Sequence, residues 1–188
     1  ELSINGRPGP VLIDIPKDVQ NTEIELAEDW VEKCNYPQYK RFYNAHPMAI
    51  DKALNLLVAA KKPLILTGHG TILASAEQEL RDFVKTEKIP TISTILGLGA
   101  LKHDDPMYFD WLGMHGMKYA NTAIQESDVI FCIGVRFDDR ITGKLDEFAP
   151  NAHIIHADID LSEGSKNVPT KVFLHGDIKL LFNNLPSS

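Results

Sequence analysis

The segment 127–143 constrains the fold of this chain more than any other. Its first part, residues 129–133, is an uninterrupted apolar run, which is typical of a strand buried on both faces of a parallel sheet. Two arginines, Arg136 and Arg140, follow that run directly. Ligands of open parallel sheets bind beyond the carboxyl ends of the strands, and guanidinium groups bind phosphates or carboxylates through paired hydrogen bonds. The segment therefore predicts one wall of an anion site.

A second interpretation of the same segment is a strand followed by a salt-bridged surface loop. Asp138 and Asp139 lie between the two arginines and are placed to pair with them. The segment by itself leaves both interpretations open.

The rest of the chain alternates between helical and strand patterns, which predicts parallel strands joined by right-handed crossovers. We therefore expect an α/β fold with a three-layer, Rossmann-like, doubly wound and mostly parallel sheet of six strands. A polar connection is expected over 17–45, a tight turn over 67–70 and an irregular segment over 101–115. Strands are predicted at 11–15, 64–66, 90–94, 129–133, 153–156 and 171–174, and helices at 48–60, 75–88, 116–125 and 178–183.

Composition excludes several functional classes. The net charge of −7 over 188 residues argues against non-specific nucleic-acid binding, and no apolar stretch approaches the length of a membrane span. The first residues carry no signal-peptide pattern. The two cysteines, Cys34 and Cys132, predict a reducing compartment without a disulfide framework, and the seven scattered histidines predict no zinc site.

Other polar and glycine residues also follow predicted strands. Gly68 and Gly70 come after the strand at 64–66, and glycines there let a ligand approach the backbone. Asp158 and Asp177 follow the last two strands, where a carboxylate either accepts hydrogen bonds from a ribose or caps a helix. Together, these loops on one sheet edge favour a dinucleotide crevice.

Four motifs carry a resemblance to a known family. Residues 6–19, 112–116, 134–143 and 156–160, in this order, resemble the large, catalytic subunit of acetolactate synthase, also called acetohydroxyacid synthase. The first motif is shared by thiamine-diphosphate enzymes of the pyruvate oxidase type, whereas Gly-Met-His-Gly and Arg-Phe-Asp-Asp-Arg are more specific. The resemblance implies that residues 1–45 are the end of a preceding domain with a linker and a first strand. It implies that 46–186 are a central FAD-binding domain.

The resemblance also implies the roles of individual residues. FAD is expected to be structural, no catalytic or metal-binding residue is expected in this chain, and Met114 and Arg140 are expected to face a substrate channel. Thiamine diphosphate and Mg²⁺ are expected in domains absent here. The expected FAD-binding residues are Arg7, Gly68, His69, Gly70, Thr94, Ile95, Leu96, Leu112, Gly113, Met114, His115, Gly134, Val135, Arg136, Asp138, Arg140, Ile141, Asp158, Ile159 and Asp177.

For the intact enzyme the resemblance implies condensation of two pyruvates, or of pyruvate and 2-oxobutanoate, with loss of CO₂, in branched-chain amino-acid biosynthesis. It also implies a homo-oligomer, a regulatory small subunit, and a location in the bacterial cytoplasm or in a plastid or mitochondrion. We expect no turnover by the 188-residue chain alone. Two other classes stay open: a free-standing dinucleotide-binding module, and a ligand-free scaffold domain of another thiamine-diphosphate enzyme.

Overall fold

The computed structural model describes residues 3–30 and 44–185. The chain forms two compact units, Glu1–Arg41 and Phe42–Ser188, and each is described by itself. Cys34 lies outside the described residues, and the domain boundary expected at 45/46 stays a prediction.

The described part of the N-terminal unit contains one short helix, α1 (Lys17–Asn21). The strand predicted at 11–15 is wrong, because these residues have no strand pairing and their side chains are exposed, with Leu12 at 91% and Ile13 at 78%. Aliphatic and β-branched residues favour a strand, but a strand forms only where a neighbour supplies the ladder hydrogen bonds. No such neighbour lies among the described residues of this unit.

The second unit contains a six-stranded sheet in the order β3-β2-β1-β4-β5-β6, and every neighbouring pair is parallel. The predicted α/β fold with six strands is confirmed. The strands are β1 (Pro63–Thr67), β2 (Thr91–Ser93), β3 (Tyr108–Trp111), β4 (Val129–Ile133), β5 (His153–Asp158) and β6 (Val172–His175).

One of these strands, β3, falls in the segment 101–115 that was predicted to be irregular, and that prediction is wrong for residues 108–111. The segment reads Tyr-Phe-Asp-Trp, without an apolar run or a clear alternation. Asp110 has a φ of +62°, and the register against β2 shifts beside it. A strand held in such a conformation has no strong signature in its sequence.

Helices cover both faces of the sheet, as the doubly wound prediction requires. The three long helices begin and end within two residues of their predicted bounds, and a short helix, α3, replaces the second half of the turn predicted at 67–70. None of the described helices has the length and apolar character needed to cross a membrane. The helices are α2 (Pro47–Ala59), α3 (His69–Leu73), α4 (Glu77–Glu87), α5 (Lys118–Glu126), α6 (Asp139–Thr142) and α7 (Ile178–Asn183), with 3₁₀ turns at Ile95–Gly97, Leu145–Glu147 and Leu161–Glu163.

Alternating side chains of the strands fill two cores. In β4, Phe131 and Ile133 pack in the cluster that contains the apolar faces of α2, α4 and α7. Ile130 and Cys132 pack in the cluster on the other face, with α5. Because both faces are covered, β4 reads as a continuous apolar run. The free thiol of Cys132 is fully buried, and burial raises its pKa far above the usual range.

The strand order reverses between β1 and β4, the central neighbours of the sheet. From β1 the chain first builds outward through β2 to β3 and then returns to build through β4 and β5 to β6. The connections therefore leave these two strands in opposite directions and open a crevice at their carboxyl ends. This point of the fold positions the candidate site.

Candidate functional site

Three glycines bring two backbones into contact at the reversal point. The N–H of Gly68 donates to the carbonyl of Ile133 at 2.9 Å, and the N–H of Gly70 donates to the carbonyl of Gly134 at 3.0 Å. A Cβ on Gly70 would lie 2.6 Å from Gly134 Cα. Gly68 is buried, so close packing of the chain itself accounts for these glycines, whereas the sequence suggested that they make room for a ligand.

The arginines predicted to bind an anion lie just beyond this point. Arg136 is exposed between two buried side chains, Val135 and Phe137, and Arg140 is exposed in α6. Among residues 3–30 and 44–185, neither guanidinium forms an ion pair or a hydrogen bond. The Asp138 carboxylate instead accepts from the backbone N–H of Arg140 at 3.1 Å and caps α6. The alternative prediction, a surface loop in which Asp138 and Asp139 form salt bridges with the two arginines, is therefore wrong for the described residues.

The loop that follows β3 docks on the arginine segment. The N–H of Met114 donates to the carbonyl of Arg140 at 3.1 Å. Gly113 has a φ of +112°, and a Cβ on it would lie 2.6 Å from the same carbonyl oxygen. Only glycine permits this approach. The side chain of Met114 is 64% exposed and His115 beside it is also exposed, whereas Leu112 is buried.

Exposed apolar side chains follow β2 on the same edge of the sheet. The N–H of Thr94 donates to the carbonyl of Thr67 at 2.9 Å, which fixes the start of a 3₁₀ turn. Ile95 and Leu96 in that turn are 62% and 58% exposed. Apolar side chains beside unpaired arginines suit a ligand that has both an apolar ring and an anionic group.

The carboxylates predicted either to accept from a ribose or to cap a helix make local hydrogen bonds. Asp177 caps α7, because one of its oxygens accepts from the N–H of Leu180 at 3.0 Å. Asp158 is buried, and one of its oxygens accepts from the N–H of Asp160 at 2.8 Å. Ile159 between them is partly buried. The capping role considered for Asp177 is thus present, and ligand contacts of these residues stay predictions.

Other predicted site residues differ in how much side chain they present. His69 is exposed as the first residue of α3, whereas Val135 is buried and Ile141 packs partly against the core. The side chain of Val135 is therefore not presented at the sheet edge, and its expected ligand contact stays a prediction. Arg7 lies in the N-terminal unit, and its expected contact with FAD stays a prediction.

Three residues that hold the site loops were missed by the sequence analysis. The side-chain amide of Asn121 donates to the Gly113 carbonyl at 3.0 Å and accepts from the Gly113 N–H at 2.9 Å. His156 and Asn167 contact the backbone on either side of Arg136. These hydrogen bonds join residues that are 8 to 30 positions apart in the sequence, so no local sequence pattern predicts them.

His156 is a fully buried titratable group next to the arginine segment. Its side chain is fully buried, and burial lowers its pKa despite the opposing influence of the hydrogen bond to Val135 and of the Glu163 carboxylate. It is therefore neutral at pH 7. No group of three or more potential metal ligands occurs within the described ranges.

Comparison with known proteins places this geometry in a family. Residues 50–185 match the family model described as thiamine pyrophosphate enzyme, central domain. The chain is 43% identical over 186 residues to a probable acetolactate synthase large subunit of Methanocaldococcus jannaschii, covering 98% of this chain and 32% of that protein.

Two further relatives have similar names. The acetolactate synthase large subunit of Corynebacterium glutamicum is 44% identical over 178 residues, covering 95% of this chain and 28% of that protein. The chloroplastic acetolactate synthase 2 of Nicotiana tabacum is 43% identical over 188 residues, covering 99% and 28%. The chain spans about a third of the length of the curated relatives it matches. With its parallel sheet and its reversal point, this chain belongs to the family of thiamine pyrophosphate enzyme central domains.

Proposed function

We propose that this chain is the central domain of an acetolactate synthase large subunit and that the crevice at its sheet edge binds FAD. The observation that carries the proposal is the pair of exposed arginine side chains, unpaired within the described residues, on the same edge of the sheet as exposed apolar side chains. The names of the relatives support the choice of subunit.

The residues at this edge fit the two halves of FAD. Arg136 offers a guanidinium for the diphosphate, since a planar fork of donors binds phosphate oxygens in pairs. Ile95, Leu96 and Met114 offer exposed apolar surface for the flavin ring. When bound, FAD supplies a rigid wall of the crevice and no electron transfer. The remaining proposed contacts are Arg7, the 68–70 segment, Thr94, residues 112–115, Gly134, Val135, Asp138, Arg140, Ile141, Asp158, Ile159 and Asp177.

The proposed reaction belongs to the full-length protein. It condenses two pyruvates, or pyruvate and 2-oxobutanoate, with loss of CO₂, and it uses thiamine diphosphate and Mg²⁺ held by other parts of the protein. Arg140 is proposed to bind the carboxylate of the second 2-oxo acid, because its side chain is exposed and its backbone carbonyl accepts from the N–H of Met114 in the neighbouring loop. The 188-residue chain by itself is proposed to have no turnover.

The oligomeric state and the cellular compartment of the full-length protein are proposed from the names of the same relatives. Relatives are named large subunits, and we propose a homo-oligomer of the full-length protein with a small regulatory subunit. One relative is chloroplastic, and we propose the cytoplasm of a bacterium or a plastid or mitochondrion as the compartment. Residues 1–45 are proposed as the end of a preceding domain with its linker, and 46–186 as the FAD-binding domain.

The test is acetolactate formation from pyruvate by the full-length protein and its variants. Arg140→Ala removes a charge-assisted pair of hydrogen bonds, so KM for the 2-oxo acid should rise about 10- to 100-fold. Lys85→Ala on α4 removes an equal charge from an exposed position and should leave KM unchanged. Absence of acetolactate from the full-length protein would contradict the enzyme assignment, and an unchanged KM in Arg140→Ala would contradict the role of that residue.

A further inference from the structure

The backbone around Arg136 is held at every carbonyl. Each of the four consecutive carbonyl groups of residues 134–137 accepts a hydrogen bond. The donors, in order, are Gly70 N–H at 3.0 Å, His156 Nε2–H at 2.9 Å, Asp138 N–H at 3.1 Å and Asn167 Nδ2–H at 2.6 Å. Two of these donors are side chains from distant segments, and they act on the residues immediately before and after Arg136.

His156 reaches the carbonyl of Val135 from β5. Its side chain is fully buried and lies between the rings of Phe137 and Phe173, with centroids at 5.1 and 5.3 Å and edge-to-face geometry. The carbonyl of Val135 can only accept, so the imidazole proton lies on Nε2. The two flanking rings and the hydrogen bond to Val135 together hold the imidazole ring in one orientation.

Asn167 reaches the other carbonyl from the connection between the last 3₁₀ turn and β6. Its side-chain amide donates to the Phe137 carbonyl across 30 positions of sequence. This contact ties the connection to the arginine loop. Among the described residues, the Asn167 side chain forms no hydrogen bond within its own connection, so its orientation is set by the Phe137 carbonyl.

The consequence for Arg136 follows from alternation along the backbone. Val135 and Phe137 are 1% and 3% exposed, so both neighbours point into the protein and Arg136 points out. With its flanking carbonyls held, the loop has little freedom to rotate, so the Cα–Cβ bond of Arg136 keeps one outward direction before any ligand arrives. Preorganisation of this kind raises affinity, because less conformational entropy is lost on binding.

We propose that His156 and Asn167 are positioning residues that aim Arg136 at the anionic group of the bound ligand. The identity of that ligand as FAD rests on the proposed function. The two residues themselves are not proposed to touch the ligand: His156 is fully buried, and the amide of Asn167 is occupied by the loop carbonyl.

A double-mutant cycle in the full chain tests the proposal, with FAD as the titrant. His156→Phe keeps an aromatic ring between its two neighbours but removes the donor, and Asn167→Ala removes the other donor at a less buried position. Each should weaken FAD binding about tenfold, the value of one hydrogen bond. In an Arg136→Ala background each should have an effect within about twofold. The same effect in both backgrounds would overturn the proposal, and Asn151→Ala, at an exposed asparagine, serves as the matched control.

A measurement without ligand separates this proposal from the assignment of FAD. The backbone order parameter of the Arg136 amide should be about 0.85 in the wild type and fall below about 0.6 in Asn167→Ala. An unchanged value would overturn the positioning role whether or not FAD binds. If the wild type binds no FAD but the order parameter falls as expected, the proposed cofactor is wrong and the positioning of Arg136 stands. If His156→Phe does not fold, the FAD affinity and the order parameter of Asn167→Ala test the proposal by themselves.

Discussion

Replacing Gly134 with alanine tests the close packing on which the crevice depends. Gly134 has a φ of +61°, and a Cβ on it would lie 2.6 Å from Gly70 Cα and 2.8 Å from Ile178 Cδ1. The Gly70 atom belongs to backbone, so the clash cannot be relieved by moving a flexible side chain alone. The variant therefore combines two costs, a backbone conformation that disfavours a side chain and an overpacked contact.

The two costs can be estimated separately. A residue with a Cβ in the left-handed region loses about 1–2 kcal/mol, and overpacking a tight site costs about 1–3 kcal/mol. Gly134→Ala should thus destabilise the unit by about 2–5 kcal/mol. For a chain of this size each kcal/mol lowers the melting temperature by about 2–4 °C, so a decrease of about 5–20 °C is expected.

Chemical and thermal unfolding followed by circular dichroism measures this effect against two controls. Gly143→Ala also has a positive φ, +58°, but its ψ is −127° and no atom lies within 4 Å of the new Cβ, so it should show a conformational cost without a packing cost. Gly70→Ala meets Gly134 Cα at 2.6 Å without a positive φ and should show the packing cost alone. Unchanged stability of Gly70→Ala would refute the reasoning, because it would mean that the backbones do not meet.

Three further predictions concern titratable side chains. Two neighbouring backbone N–H groups donate to the Asp128 carboxylate at 2.7 and 2.9 Å, and although desolvation opposes them, the backbone hydrogen bonds lower its pKa. Asp128→Ala should therefore lower the free energy of unfolding by about 1 kcal/mol near pH 7, and denaturant titrations should show that this difference disappears as the pH falls through the lowered pKa. In a Cys34→Ser background, Cys132 should react with a thiol reagent only as fast as the chain unfolds, because its thiol is buried and its pKa is raised; rapid labelling of the folded chain would contradict this. Burial lowers the pKa of His156, so below about pH 6.5 the unfolded state binds a proton at this residue that the folded state does not bind. The free energy of unfolding of the wild type should therefore fall relative to that of His156→Phe as the pH falls from 7 to 5, and the same pH dependence in both proteins would contradict this.

The sequence predicted best the elements whose pattern is local. The strand at 129–133 is buried on both faces, so its composition alone identifies it. The segment at 11–15 has a similar aliphatic composition but no strand partner among the described residues, and the prediction failed there. For β3 the reverse holds, because parallel pairing with β2 makes a strand of a segment whose own pattern does not indicate one.

The site divides in the same way. Order along the chain was enough to place Arg136 and Arg140 beyond the end of a strand, because ligand sites of parallel sheets lie there. The 112–116 loop follows β3, which was not predicted, so only the resemblance pointed to it. The reason for the glycines was not predictable, since it lies in the approach of Gly70 to Gly134 across the sheet. The same is true of Asn121, whose paired hydrogen bonds to the 112–116 loop depend on tertiary structure.

A flavin titration tests the central claim most directly. FAD is added to the full chain, with fluorescence quenching and melting temperature as the two signals. The account predicts saturable binding in the wild type and in Lys85→Ala, and binding weakened about 10- to 100-fold in Arg136→Ala, because one charge-assisted pair with the diphosphate is lost. Equal affinity of the wild type and Arg136→Ala, or a cooperative melt that FAD does not shift, would contradict it.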